Sequence, residues 1–313
     1  MSTLLCKRYL PTMEEQWNRI VSESRNGTFL INRRYLDYHS DRFIDHSLIF
    51  EYDGETIALF PANEQGKVIY SHQGLTYGGM IMTSRCKGAV VLDIFENMLA
   101  YYREQGFNEL IYKPIPHIYH KKPSEEDLYA LYRQKAQINS CGISSTINLS
   151  EEVNFNSLRS RGVKKALLNN VNIKEEEDFT QFWDILTANL ESRHSVSPVH
   201  TLSEINLLKE RFPENIRLYT ASKDGELLAG VLMYETEVCV HSQYIASSQN
   251  GRDMSALDLL FSYLIKERYK TTKYFDFGIS TEQNGEYLNK GLLSQKEGFG
   301  ASAIIYNSYK IKL

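Results

Sequence analysis

The chain has 313 residues, 42% hydrophobic and 24% charged, with a formal net charge of -4. That length buries a large core and ordinarily divides into two domains, and the mild acidity argues against a dedicated nucleic-acid binder with a global basic field. Cys6, Cys86, Cys141 and Cys239 stand singly, with no C-x-x-C pair, so neither a zinc knuckle nor a disulfide framework is expected, and no metal. Residues 1–17 hold no continuous apolar segment, and no stretch is long enough to span a bilayer, so the expected location is cytoplasmic.

In chain order, Trp17, Ile20, Val21 and Ser24 fall at helical spacing. A second helical patch ends at Arg42 and Phe43. Two β-forming runs, residues 47–52 and 56–60, flank Asp53, Gly54 and Glu55, and Asp-Gly between apolar runs is a strong hairpin signal. A strand carrying Ser71, His72 and Gln73 is expected next, followed by three glycines, Gly74, Gly78 and Gly79, that leave backbone open to a ligand. Val91, Ile94, Phe95, Met98, Leu99 and Tyr102 line one face of an amphipathic helix. A strand at residues 107–113, a helix at 125–135 and a closing strand at 144–149 complete the half. Residues 155–169 read as a linking helix with Arg159, Arg161, Lys164 and Lys165 together.

The same order then returns. Phe179, Phe182, Trp183, Leu186 and Leu190 form a helical stripe, and a second helix ends at Arg211 and Phe212. Asp224, Gly225 and Glu226 join runs 216–221 and 227–232 in a second hairpin. His241, Ser242 and Gln243 lie on a strand. Ala256, Leu259, Leu260, Tyr263 and Leu264 line a helix, and residues 273–278 form a strand. Agreement in both order and residues indicates a duplication, with a boundary near 150 and the working site in or near the groove between the halves.

One unit of helix, helix, hairpin, strand, polar turn, helix, strand resembles the GNAT acyltransferase fold. In that family the turn before the main helix follows Arg/Gln-x-x-Gly-x-Gly/Ala, and its amides hold the pyrophosphate of an acyl carrier. Such a turn works because helix N-terminal N–H groups point at phosphate oxygens. The halves offer Arg85, Gly88 and Val90, and Arg252, Ser255 and Leu257, both imperfect matches. Two units joined by a basic helix resemble the FemAB-like family, through residues 161–173, His200 and Glu204 leading to Phe212 and Pro213, residues 276–280, and Gly291 to Gly300. The resemblance implies an α/β (α+β) fold of two tandem GNAT-like domains, residues 1–150 and 151–313, each a mixed, mostly antiparallel sheet flanked by helices. It also implies transfer of an acyl or aminoacyl group to an amine. Fem-type enzymes use aminoacyl-tRNA to build peptidoglycan bridges, whereas related double-GNAT proteins use acyl-CoA. The chain lacks the inserted helical arm of some Fem-type enzymes, which with its acidity favours acyl-CoA.

Candidate roles follow from the chemistry. An attacking amine must lose a proton, and the acyl carbonyl becomes an oxyanion that needs donors. Asp276, between two phenylalanines, puts its carboxylate on the face opposite both; with His241 and Lys296 it is a candidate catalytic residue. The resemblance places Lys296 beside the transferred group. Tyr244, Gly251, Arg252, Ser255 and Ala256 are candidates for the carrier, with Gln249, Asn250 and Gly251 expected to form a flexible turn. His39, Arg42, His72, Gly74, Tyr77 and Gln243 are candidates for the acceptor, with strand alternation pairing His241 with Gln243 on one face. The expected partners are acyl-CoA (alternatively aminoacyl-tRNA) and a small-molecule or precursor amine of the cell envelope. The competing reading is a non-catalytic binding protein whose imperfect turns no longer hold a carrier.

Overall fold

A computed structural model describes residues 3–194 and 196–313. The chain forms two compact units, one of Met1–Gly142, Glu282–Tyr287 and Ile305–Leu313, the other of Ile143–Thr281 and Leu288–Ile304. The division falls at 142 rather than near 150, and the last residues return to the first unit. The return has a plain cause: Tyr309 to Lys312 pair antiparallel with Tyr112 to Glu109, and Ile311 enters the first core.

The first unit runs β1 (Leu4–Arg8), α1 (Glu14–Glu23), α2 (Arg33–Leu36), β2 (Ile44–Asp45), β3 (Leu48–Tyr52), β4 (Glu55–Phe60), β5 (Asn63–Gln65), β6 (Val68–Tyr70), β7 (Ile81–Met82), α3 (Gly88–Glu104), β8 (Glu109–Tyr112) and α4 (Glu126–Arg133). The antiparallel strands β1, β3, β4 and β7 lie in that order. The β3–β4 turn has Asp53 and Gly54 at φ 50° and 80°, the double left-handed conformation that Asp-Gly favours. All six apolar residues expected on α3 are buried in one core with Phe50, Phe60 and Tyr112. The expected strand at residues 71–73 is absent: β6 ends at Tyr70, and His72 takes a left-handed φ of 61° that no strand accommodates. The helical patch likewise stops short of Arg42 and Phe43, ending in a 3₁₀ turn at Asp37–His39.

The closing strand of the first half is longer than expected, β9 (Gln137–Asn148). The second unit continues with α5 (Ser157–Leu168), β10 (Asn172–Glu176), α6 (Thr180–His194), α7 (Leu202–Arg211), β11 (Ile216–Lys223), β12 (Glu226–Glu235), β13 (Cys239–Ser247), α8 (Gln249–Asp253), α9 (Ala256–Tyr263) and β14 (Tyr274–Ile279). Then come β15 (Thr281–Glu282), β16 (Tyr287–Leu288), α10 (Lys290–Glu297) and β17 (Ser302–Lys312), whose residues divide between the units. Thr201 and Glu204 close a reciprocal capping box on α7, which satisfies two amides that the helix start leaves unpaired. Residues 143–148 of β9 complete a sheet ordered β10-β11-β12-β13-β14-β9. Ala229, Val231 and Met233 of β12 face α9 in one core. Gly230 lies on the other face, where the Phe182 ring of α6 sits so close that a Cβ would come within 2.4 Å of it.

Two irregularities in this sheet shape the site. Met233 pairs with Ser242 but Leu232 pairs with Tyr244, so Gln243 is an extra, bulged residue. The bulge breaks the simple alternation expected of residues 241–244, because it brings Tyr244 onto the face of His241. In addition, β13 and β14 pair in parallel only from Cys239 with Tyr274 to His241 with Asp276. Beyond that point each strand continues unpaired to the other, and the sheet opens.

Candidate functional site

The last paired residues before the opening are the ionisable ones. Asp276 is fully buried. Its Oδ2 is 2.8 Å from His241 Nδ1, and its Oδ1 accepts from Ser144 Oγ at 2.6 Å and Thr146 Oγ1 at 2.7 Å. Burial alone would raise its pKa, but the His241 contact and the two hydroxyls outweigh burial and hold the carboxyl below its usual range. A carboxylate on Nδ1 fixes the imidazole with its proton there, which leaves Nε2 as a proton acceptor. Gly278, at φ +77°, keeps this ring in place: a Cβ there would stand 3.1 Å from His241 Cε1.

Lys296 of α10 is 4% exposed, not a surface lysine. Its ammonium donates to the carbonyls of Gly278 and Ile279, each at 2.8 Å. Burial pulls its pKa down to about 8, and Asp276 opposes that fall. An ammonium has three donors, so a third N–H remains beyond these two carbonyls.

Where the strands part, a cavity of about 300 Å³ opens, lined by Ile245, Ala246 and Ser247 of β13, Phe277 of β14, and residues of α6, α9 and α10, including Lys296. Arg252 lines it too, its guanidinium donating to the Ser247 carbonyl at 2.7 Å. The turn expected to be flexible is instead the short helix α8, capped by Ser248 Oγ on the Gly251 amide at 3.0 Å. Gly251 is packed inward, since a Cβ would come within 2.0 Å of the Leu228 carbonyl. Ser255 holds a left-handed φ of 59° immediately before α9, the backbone state that a motif glycine supplies freely. Ala256 begins the helix and is fully buried.

Tyr244 stands on the His241 face, its hydroxyl 2.6 Å from His200 Nδ1 and its ring 5.2 Å from that of Trp183. Burial pushes its pKa up to about 12, so the phenol is neutral. Gln243 is half-buried. Ser144, Thr146 and His200 were not singled out from sequence as partners of these groups. The hydroxyl–x–hydroxyl spacing on a strand was the available signal, because residues two apart share a face.

In the first unit the structure brings His39, His72 and Gly74 together. The two imidazoles stack at 5.0 Å, and Phe43 closes on both. Burial, ahead of Arg42, pulls His39 down to about 4, and burial, ahead of His39 and Lys113, holds His72 well below its usual range. The glycines here are filled by the protein itself rather than left open: a Cβ on Gly74 would meet His39 Nε2 at 2.3 Å, and one on Gly78 the Ser71 carbonyl at 2.0 Å. Tyr77 is buried elsewhere, its hydroxyl donating to Thr28 at 3.1 Å and its ring against Tyr119. Arg42 is partly exposed, near Asp41 and over Tyr38. The corresponding turn is also occupied: Arg85 pairs with Glu55, and Cys86 is fully buried. In the linking helix, Arg159 turns inward to Asp258 at 2.6 Å, while Arg161, Lys164 and Lys165 stay exposed.

Among the described residues no cluster of three or more His, Cys, Asp or Glu is placed to hold a metal, and no helix is long and apolar enough to cross a membrane.

The second unit has a sheet that opens beside a helix-starting turn, and residues 159–287 match the Acetyltransferase (GNAT) domain family. The whole chain is similar in fold to FemX (TM-score 0.69, 11% identity, 98% of this chain and 97% of that one). It is similar also to L-PGS from Bacillus licheniformis (0.62, 14%, 98% and 92%) and to a tandem GNAT protein from the clavulanic acid biosynthesis pathway (0.52, 10%, 99% and 98%). No curated protein matches the chain significantly in sequence. The chain therefore has the FemAB-like, tandem GNAT fold, and the match to the GNAT domain family falls in its second unit.

Proposed function

We propose that the protein is an N-acyltransferase that moves an acyl group from acyl-CoA to an amine. The observation that carries this reading is the cavity between the parted strands, with Arg252 at its lining near the turn and Lys296 beside the last paired residues. The carrier's phosphates would lie at the start of α9, and its thioester would run into the opening. His241, oriented by Asp276, takes the proton from the attacking amine. The third N–H of Lys296 is offered to the thioester oxygen as charge develops there. The amine nitrogen bonds to the acyl carbon, the carbon–sulfur bond breaks, and the products are an amide and the free thiol.

In the first unit, Arg42 is the side chain proposed to meet the acceptor, since His39 and His72 are buried against each other and Phe43. The acceptor is proposed to be an amine on a cell-envelope precursor, such as an amino sugar or peptide, reached in the cytoplasm; the support is the likeness to FemX and L-PGS. That likeness equally favours aminoacyl-tRNA as donor, and Arg161, Lys164 and Lys165 are exposed to meet it. Salt-sensitive tRNA binding that weakens when these three are neutralised would select that donor.

The direct test is thiol release from acyl-CoA across a panel of amines. Because burial sets Lys296 near pH 8, its positive charge is lost as pH rises through that value. The rate should fall on the alkaline side with a midpoint near 8, and Lys296→Arg should move that limb upward. No thiol release with any amine, together with no binding of CoA or tRNA, would leave the non-catalytic reading.

A further inference from the structure

We infer that the cavity of the second unit receives an uncharged, chain-like acyl group of several carbons and discriminates against an aminoacyl group; the inference rests on the acyl-carrier reading above. The first argument is the lining. Phe261, Phe277 and Phe299 meet one another at 5.0 to 5.8 Å and form an aromatic floor. Leu186, Leu190 and Leu292 add aliphatic walls. Two of the polar groups at the edge are already engaged, since Asn189 and Arg252 both donate to the Ser247 carbonyl, at 3.0 and 2.7 Å.

The second argument is charge. Among the described residues the ionisable ones on the lining are Arg252 and Lys296, and no described carboxylate lines it. The ammonium of an aminoacyl group would lose its water here, find no opposite charge, and face another ammonium. A buried charge without a partner is strongly disfavoured. Asp276, the nearby carboxylate, is committed to His241, Ser144 and Thr146 on the face opposite Phe277.

The third argument is size. A cavity of about 300 Å³ holds roughly ten atoms of methylene or water size at about 30 Å³ each. An acetyl group supplies only about three such atoms, so the part of that volume that the carrier's own arm does not fill stays empty, and an unfilled apolar cavity forfeits contact on every side.

The test is calorimetric titration of the intact protein with free CoA and four thioesters: acetyl-, butyryl-, octanoyl- and β-alanyl-CoA. The β-alanyl and butyryl groups have the same shape and differ by an ammonium in place of a methyl. Octanoyl-CoA should bind at least roughly thirtyfold more tightly than acetyl-CoA, well within the limit of about fourfold per buried methylene. Butyryl-CoA should bind at least roughly tenfold more tightly than β-alanyl-CoA. Leu292→Trp, at a wall position 36% exposed and so tolerant of change, should narrow the octanoyl-to-acetyl ratio by at least about fivefold. Equal binding of acetyl- and octanoyl-CoA, β-alanyl-CoA binding as tightly as butyryl-CoA, or an unaltered ratio in Leu292→Trp would each overturn the inference while leaving CoA as carrier. Failure of free CoA and every thioester to bind would instead overturn the carrier reading beneath it.

Discussion

The two units present a histidine at the corresponding point of their repeats and use it in opposite ways. His241 continues a strand, and a buried carboxylate meets its Nδ1 at 2.8 Å. His72 follows the end of a strand, in a left-handed turn, stacked on a second imidazole. Similar sequence thus yields a proton acceptor in one unit and a neutral, desolvated ring in the other. The difference lies in what each ring faces: an imidazole becomes a useful base when a neighbour stabilises its charged form, and burial without such a neighbour suppresses that form. A buried carboxylate at position 276 distinguishes the unit to which we assign the chemistry.

Turnover should separate the two copies most sharply. His241→Ala removes the base and Asp276→Asn removes the group that orients it, so each should lower kcat about 10²- to 10⁴-fold. His72→Asn, which tolerates the left-handed turn, should leave kcat within about threefold, as expected of a buried ring that takes no part in the chemistry. A matching fall in kcat for His72→Asn would erase the distinction, and wild-type kcat in Asp276→Asn would remove the second unit's claim to the chemistry.

Stability against pH should separate the units next. In the first unit, burial holds His39 and His120 down to about 4, and His46 and His72 also below their usual range. These groups titrate near 6.5 when unfolded, so between 6.5 and about 4 the unfolded chain binds more protons. Their contribution is complete above 6.5 and is lost as pH falls toward 4, at most about 3 kcal/mol each for His39 and His120. Asp127 works the other way, because burial raises it to about 7, so its stabilising effect declines as pH rises toward 7. Burial raises Asp37 as well; four histidines outweigh two aspartates, and the first unit should loosen first on acidification. Hydrogen exchange followed peptide by peptide at pH 6.5 and 5 would check this; equal loss of protection in the two units would contradict it.

Much of this molecule was legible from residue pattern, and the exceptions have physical causes. The six buried residues of α3 follow from their 3.6-residue spacing, and both Asp-Gly hairpins follow from the φ values that such turns require. Asp276 could be assigned to the face opposite its phenylalanines by alternation alone. Alternation failed at Tyr244, because the bulge at Gln243 is a one-residue register shift with no composition of its own. The strand expected at 71–73 failed because a single left-handed residue ends it. The buried carbonyl contacts of Lys296 were also hidden, since they are backbone atoms brought near by tertiary packing. The glycines of residues 74–79 misled for a related reason: space left by a missing side chain can be filled by the protein as readily as by a ligand.

The smallest expected effects concern the two helix-starting turns, where motif and geometry have been exchanged. The first turn keeps the motif glycine, Gly88, yet its φ is ordinary and a Cβ there would meet nothing within 4 Å. The second turn keeps the left-handed conformation but carries Ser255 in it, at φ 59°. A residue with a Cβ pays about 1 kcal/mol or more to stand there, and glycine does not. Ser255→Gly should therefore stabilise the protein by about 0.5–1 kcal/mol, even though glycine also gains freedom when unfolded. Gly88→Ala should be stabilising by about 0.5 kcal/mol for the opposite reason, since it removes that freedom where no special φ needs it. Thermal melts read both effects, and CoA affinity tells what they mean. If the second turn is the carrier site, Ser255→Gly leaves CoA binding equal or tighter while Ser255→Val, whose branched side chain resists a positive φ, weakens it; a Ser255→Val protein that folds and binds CoA normally would return the two turns to equal standing.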